Sequence, residues 1–166
     1  MNRILITGNA GSGKTTFSKA LAKQFELPRH GLDSIVWKTG WKKTPDEEKR
    51  EKIKALIANP SWVIDGVSGQ VFREASTVYF LDVPLPRCLL NIVKRFLLNG
   101  LKTREDLPPG CPEYVGVLKA IRVAFLYHRQ TRPFIFKLIE SHPEKEIIWV
   151  RNYRDARLRG ICLGLL

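Results

Sequence analysis

Cysteines are few in this sequence and carry no pattern. Cys88, Cys111 and Cys162 form no CxxC pair, and an odd number cannot close a disulfide framework. The three histidines, His30, His128 and His142, are equally scattered, so no metal-ligand cluster emerges. The thiols read as buried or incidental side chains. No stretch approaches the ~20 apolar residues of a membrane span, and the apolar run from Ile4 is far too short for a signal-peptide core. These absences predict a soluble, cytoplasmic protein with no membrane partner. Low-complexity segments and internal repeats are missing as well. With 44% of the 166 residues hydrophobic and 27% charged, one folded domain spanning 1–166 is expected.

Acids are the scarce charged class: 16 Asp and Glu face 28 Lys and Arg, a formal net charge of +12. The excess is local. Between Arg87 and Lys137 ten Lys or Arg stand against Glu105, Asp106 and Glu113, a balance of +7. These cations are spread through apolar sequence and do not form a polybasic tail. That pattern suits a surface facing phosphates, and on charge alone a nucleic-acid groove fits too. No helix-turn-helix, zinc or RNP-like signature accompanies it, so direct nucleic-acid binding has no motif behind it.

What is present reads as strands alternating with helices. Residues 4–7 (ILIT), 62–66 (WVIDG), 77–82 (TVYFLD) and 147–150 (IIWV) are short apolar runs of buried-strand type, and 30–33 (HGLD) reads as a strand end or loop. Helical spacing covers 14–25, where Phe17, Ala20, Leu21 and Phe25 share a face. A second helix is expected from Pro45 to residue 58, with acids in its first turn, and an amphipathic one over 87–98. A long helix is expected over 113–140, disturbed at Pro133, and a closing helix from Asp155. Such alternation predicts an α/β fold with a parallel sheet covered on both faces. The turn-rich stretch 100–112 is long for a connection, which makes it a candidate lid, with 100–132 as the lid region.

Gly8-Asn9-Ala10-Gly11-Ser12-Gly13-Lys14-Thr15 fits G-x-x-x-x-G-K-[ST] at every position, after a strand and at the start of a helix. Glycines let successive backbone N–H groups turn into one concavity, and the helix that follows adds its positive end. Lys14 would reach the β- and γ-phosphates, Thr15 would hold Mg²⁺, and Thr16 would support the α-phosphate. The expected cofactors are therefore ATP and Mg²⁺. No Asn-Lys-x-Asp sequence and no DxxG switch is present, which argues against a signalling GTPase.

Beyond the loop, the chain resembles adenylate-kinase-type nucleoside monophosphate kinases. It resembles more closely the small bacterial proteins labelled FlaR-type DNA topology modulation proteins. The resemblance is carried by GNAGSGKT at 8–15, GLDSIVW…GW at 31–41, WVIDG at 62–66, VYFLDVPLPRCL at 78–89, KTRED…GCPE at 102–113 and YHRQTRP at 127–133. It implies a P-loop three-layer α/β/α fold with a five-stranded parallel sheet, ATP as donor, a small-molecule acceptor, and a closing lid. In adenylate kinases the third strand runs into an Asp-Gly-Phe-Pro-Arg sequence. Here Val67-Ser68-Gly69 follow Asp65-Gly66, so that phosphate-gripping arginine has no direct counterpart, and Arg73 is a possible substitute.

Further candidates follow from position. Asp65 and Asp82 each end an apolar strand, where open α/β sheets place ligands. Asp65 is the favoured Mg²⁺ partner, through water, and a helix cap or structural acid is the alternative for Asp82. Asp33 either orients an acceptor hydroxyl or forms a turn. Arg95 precedes the candidate lid, and Arg122 and Arg129 fall seven residues apart, on one face if their helix is continuous. They clamp phosphates or line a solvated face; Arg132 belongs with them. Trp37 and Trp41 cap an acceptor pocket or simply pack. Arg151 to Tyr153 follow the last strand, where adenine commonly sits in the proteins this chain resembles. The leading function is phosphoryl transfer from ATP·Mg²⁺ to a small acceptor such as a nucleoside monophosphate. A nucleotide-dependent regulator with slow ATPase activity is the alternative, with a DNA-binding topology modulator behind it.

Overall fold

The computed structural model describes residues 2–99 and 107–151. In chain order the elements begin β1 (Arg3–Gly8), α1 (Lys14–Phe25), β2 (Arg29–Gly31) and α2 (Asp33–Val36). A small hairpin follows, β3 (Trp37–Lys38) and β4 (Lys42–Lys43) around the 3₁₀ turn Thr39–Trp41. Then come α3 (Asp46–Ile57), β5 (Trp62–Asp65), α4 (Gly69–Glu74), β6 (Thr77–Leu81) and α5 (Leu85–Asn99). The described chain closes with α6 (Glu113–Leu126), α7 (Thr131–Glu140) and β7 (Glu146–Val150). The closing helix expected from Asp155 lies outside the described residues, as do 100–106 of the expected lid.

Five strands form one sheet in the order β2-β5-β1-β6-β7, and every pairing is parallel. Parallel strands need crossovers, and the helices that make them cover both faces, which is why β1, β5, β6 and β7 read as mainly apolar runs while the edge strand β2 (Arg-His-Gly) does not. In β1, Ile4 and Ile6 join Phe17 and Leu21 of α1 on one face. Leu5 joins Ile53 of α3 and Val71 and Phe72 of α4 on the other. Phe17, Trp62 and Phe80 are wholly buried, each contributing about 2–3 kcal/mol of apolar transfer. The α/β/α fold with a five-stranded parallel sheet is thus observed. The chain leaves β1 toward β2 on one side of the sheet and later crosses to β6 on the other. The carboxyl ends of β1, β5 and β6 therefore open onto one crevice.

The helix expected over 113–140 is two helices. α6 ends at Leu126 and α7 starts at Thr131, joined by turns over 127–130. Pro133 is the physical reason: it has no N–H to donate and its ring would clash with the carbonyl four residues back. It is accommodated only because it falls in the first turn of α7. One further expectation shifts slightly, and one element is new. Asp33 is not at a strand end but opens α2, two residues past β2. The 37–43 hairpin, pairing Trp37 with Lys43 and Lys38 with Lys42, had no sequence signal.

His30, half-buried in β2, titrates below its ordinary value because of burial first and the neighbouring Arg29 charge second. The unfolded chain then holds the proton more tightly than the folded one. Stability from this group is present above its unfolded pKa of about 6.5 and is lost as pH falls below it. Thermal melts should show a falling midpoint between pH 7 and pH 5.5, and His30→Gln should make that fall shallower. An identical pH slope in the variant would contradict the assignment.

Candidate active site

The phosphate-type loop joins β1 to α1. Gly13 is the N-cap of α1, with φ 90 and ψ 16, no side-chain cap and no acid in the helix's first turn. The first amides of α1 therefore lack intrahelical acceptors and an acid within their own turn, a condition under which a helix N-terminus takes an anion. Gly11 has φ +74, and a Cβ there would collide with the Cys88 carbonyl of α5. Only glycine lets the loop and α5 approach this closely. Lys14 Nζ donates to the carbonyls of Gly8 at 3.0 Å and Asn9 at 2.6 Å, which holds the ammonium over the loop. Two asparagines fasten the loop, one from α5 and one from within the loop itself. Asn91 Nδ2 of α5 donates to the Gly11 carbonyl at 2.8 Å, and Asn9 Nδ2 donates to the Ala124 carbonyl of α6 at 3.2 Å. Cys88 is buried beside the loop, and burial pushes its thiol above the usual range despite the Lys14 charge. It stays a neutral thiol at pH 7.

Asp65, at the carboxyl end of β5, comes to the same place. Its Oδ2 accepts from Thr15 Oγ1 at 3.2 Å. Its Oδ1 accepts from Ser18 Oγ at 3.1 Å and from the Arg29 guanidinium at 2.8 Å. Arg29 Nε also donates to Ser18 Oγ at 2.7 Å. The Arg29–Asp65 pair is buried, with side chains 15% and 8% exposed. Arg29 and Ser18 had not been expected. Ser18 lies one helical turn after Thr15, a spacing that could have marked it; Arg29 carries no sequence signal.

The donor set suits a small divalent cation held jointly with phosphate. Thr15 and Asp65 supply two hard oxygens side by side, next to uncapped amides and Lys14, and Mg²⁺ commonly takes one or two protein oxygens plus water and phosphate. Among the described residues no group of three or more His, Cys, Asp or Glu side chains is placed to hold a metal.

Asp82, the other strand-end acid, has a structural partner. Arg132 Nε and a terminal guanidinium nitrogen donate to its two oxygens at 3.2 and 3.0 Å, and the same guanidinium lies 4.5 Å from the Phe136 ring centroid. Arg132 is thereby engaged with Asp82 rather than grouped with the other arginines. Arg122 is exposed on α6 and Arg129 exposed in the turn after it, so the break at 127–130 removes the single face on which the pair was expected. Arg95 is half-buried on α5, Arg73 exposed on α4, and Asp33 exposed at the start of α2. Because Gly31 pairs with Asp65 across β2 and β5, Asp33 follows the same carboxyl edge of the sheet as Asp65.

Trp37 and Trp41 meet edge to face at 5.3 Å between ring centroids. Lys119 of α6 sits over both rings, at 4.7 and 5.2 Å, and Trp41 Nε1 donates to the Pro112 carbonyl at 3.2 Å. The hairpin is therefore clasped to α6, and packing explains the tryptophans. Gly116 makes the clasp possible, since a Cβ there would collide with the Trp41 indole. Gly116→Ala should expel that ring, seen as a red shift and altered quenching of tryptophan emission. Unchanged emission would contradict the clasp.

Ser12, Phe17, Leu81, Val83, Arg87, Asn91, Val150 and Arg151 line a mainly apolar cleft beside the loop. Arg151 is thus near the loop; Asn152 and Tyr153 lie outside the described residues.

No protein-family model matches the chain, and no curated protein matches it. Solved structures do. A shikimate kinase from Acinetobacter baumannii in complex with shikimate superposes with a TM-score of 0.58 at 15% identity, covering 96% of this chain and 89% of that one. An unliganded sugar kinase from a Janibacter species gives 0.51 at 15% identity, covering 100% and 99%. At that identity the likeness is one of fold: this chain has the three-layer architecture that those P-loop kinases share.

Proposed function

We propose that this chain is an ATP- and Mg²⁺-dependent phosphotransferase that moves the γ-phosphoryl group to a small acceptor. The observation that carries the reading is the Thr15–Asp65 contact directly beside an uncapped P-loop helix and Lys14. Phosphoryl transfer asks a protein mainly for positioning and for cations around a spreading negative charge, and this cluster supplies both. In the reading, amides from 8–16 cradle the phosphates and Lys14 swings from the Gly8 and Asn9 carbonyls onto the β- and γ-oxygens. Thr15 and Asp65 hold the metal, Asp65 partly through water. Magnesium would neutralise charge on the phosphates and help align them. The cleft under Arg151 receives the base.

On the acceptor side, Asp33 shares the sheet edge with Asp65, and Arg73, Arg95, Arg122 and Arg129 supply positive charge. For a hydroxyl acceptor, as in the shikimate and sugar kinases of like fold, Asp33 would orient or deprotonate it. For a nucleoside monophosphate, as the adenylate-kinase and topology-modulation resemblance implies, Asp33 would only position the substrate. Residues 100–132 act as the lid, closing over the phosphates and keeping water from the γ-phosphoryl group.

The test is ADP formation from ATP·Mg²⁺ by the whole chain, first without acceptor, then with nucleoside monophosphates, nucleosides and small polyols. Turnover that rises with one acceptor supports the reading and names the substrate class. Slow turnover that no acceptor accelerates would overturn it in favour of a nucleotide-dependent regulator. A gel shift with duplex DNA that weakens steeply with salt would favour the nucleic-acid alternative.

A further inference from the structure

We infer that Asn91 is a positioning residue of the donor site, acting through the backbone of Gly11. The inference rests on the nucleotide reading above. Asn91 lies outside the glycine-rich motif, 80 residues from Gly11, yet its Nδ2 donates to the Gly11 carbonyl at 2.8 Å. α5 approaches this glycine more closely than any side chain would allow, with the Cys88 carbonyl and Ile92 against its α-carbon. α5 therefore lies on the outer side of the loop, and Asn91 draws the Gly11 oxygen outward. A peptide's N–H and C=O point in opposite directions. With the oxygen turned out, the Ser12 N–H turns in, where it donates to the Asn9 carbonyl at 3.2 Å. That carbonyl is the one that also accepts from Lys14 Nζ. The orientation of the 11–12 peptide, and with it the turn whose Asn9 carbonyl holds Lys14, is fastened by a single amide group on a neighbouring helix.

The choice of asparagine follows from the chemistry. The partner is a carbonyl, so the side chain must donate. A carboxylate at the same place would face the Gly11 oxygen with no proton to share and would favour the flipped peptide, which presents an oxygen to the phosphates. Leucine has a similar shape and no donor. Aspartate needs no more room than asparagine, and leucine keeps the branch at Cγ with bulkier methyl groups.

Asn91 also lines the apolar cleft, so a direct contact with the base is the competing explanation. The two differ in what they do to a ligand that has no base. The experiment measures binding of ADP and of inorganic pyrophosphate by calorimetry to the wild-type chain, Asn91→Leu and Asn91→Asp, at pH 8. A positioning role predicts that Asn91→Leu weakens both ligands by a similar factor, about tenfold, the worth of one hydrogen bond. It also predicts that Asn91→Asp, which turns an ionised carboxylate toward the Gly11 oxygen, is weaker still for both ligands. Loss of ADP affinity with pyrophosphate binding unchanged would overturn the inference in favour of a base contact. Wild-type affinity of Asn91→Leu for both ligands would overturn it outright. A wild-type chain that binds neither ligand would instead remove the nucleotide reading, and this inference with it.

Discussion

Replacing Lys14 with alanine is expected to lower acceptor-dependent kcat by about two to three orders of magnitude, the usual loss for one preorganised group that stabilises developing charge. The ammonium is held by two carbonyls of its own loop, Gly8 and Asn9, at 3.0 and 2.6 Å. It is therefore held at the loop before a nucleotide arrives, beside the phosphates it would move onto. Those contacts are local to the loop, six and five residues back along the chain, so their loss should change the melting temperature little. The check is steady-state kinetics beside a thermal melt: a large drop in kcat with a melt within a few degrees of wild type. Loss of both together would mean that Lys14 holds the loop up and is not a transferring group.

The second large effect concerns Asp65. Its pairing with Arg29 is buried, so removing one partner leaves an uncompensated charge, which typically destabilises by about 3–5 kcal/mol. Asp65→Ala should thus be severely destabilised, and a loss of activity in it would prove nothing about chemistry. The double variant Asp65→Ala, Arg29→Leu separates the two roles. Removing both charges should restore most of the stability, since apolar groups of similar shape often replace a buried ion pair at little cost. Activity should not return, because Thr15 would lack its carboxylate partner. Urea melts and Mg²⁺-dependent turnover on the same protein would show it. If the double variant is stable and also active, Asp65 is a structural acid only.

Much of this was legible in the sequence, for reasons that vary with distance along the chain. The P-loop could be read because its parts are contiguous: glycines, lysine and threonine act within eight residues, and the strand and helix around them are set by local spacing. The parallel sheet was legible because strands buried on both faces must be uniformly apolar. The break between α6 and α7 was signalled only by Pro133, and its cost is felt four residues earlier, so the boundary was missed. What escaped entirely joins residues far apart: Arg29 with Asp65, Asn91 with Gly11, Arg132 with Asp82. Arg29 and Asn91 alone read as ordinary polar residues, and Asp65, Asp82 and Arg132 stood out in the sequence without their partners. Only the fold brings a donor to its acceptor. The tryptophans show the same limit, because Trp37 and Trp41 suit a pocket or a packed clasp equally well until Gly116 is seen beneath them.

In the proposed reaction the γ-phosphoryl group of ATP ends on another small molecule. Phosphorus NMR of ATP·Mg²⁺ with the whole chain and the acceptor panel follows that atom directly. The γ-phosphorus signal is expected to be replaced by that of a phosphate ester or a new phosphoanhydride, in step with ADP, and only when Lys14 is present. Appearance of inorganic phosphate alone, at the same rate with and without every acceptor, would contradict it.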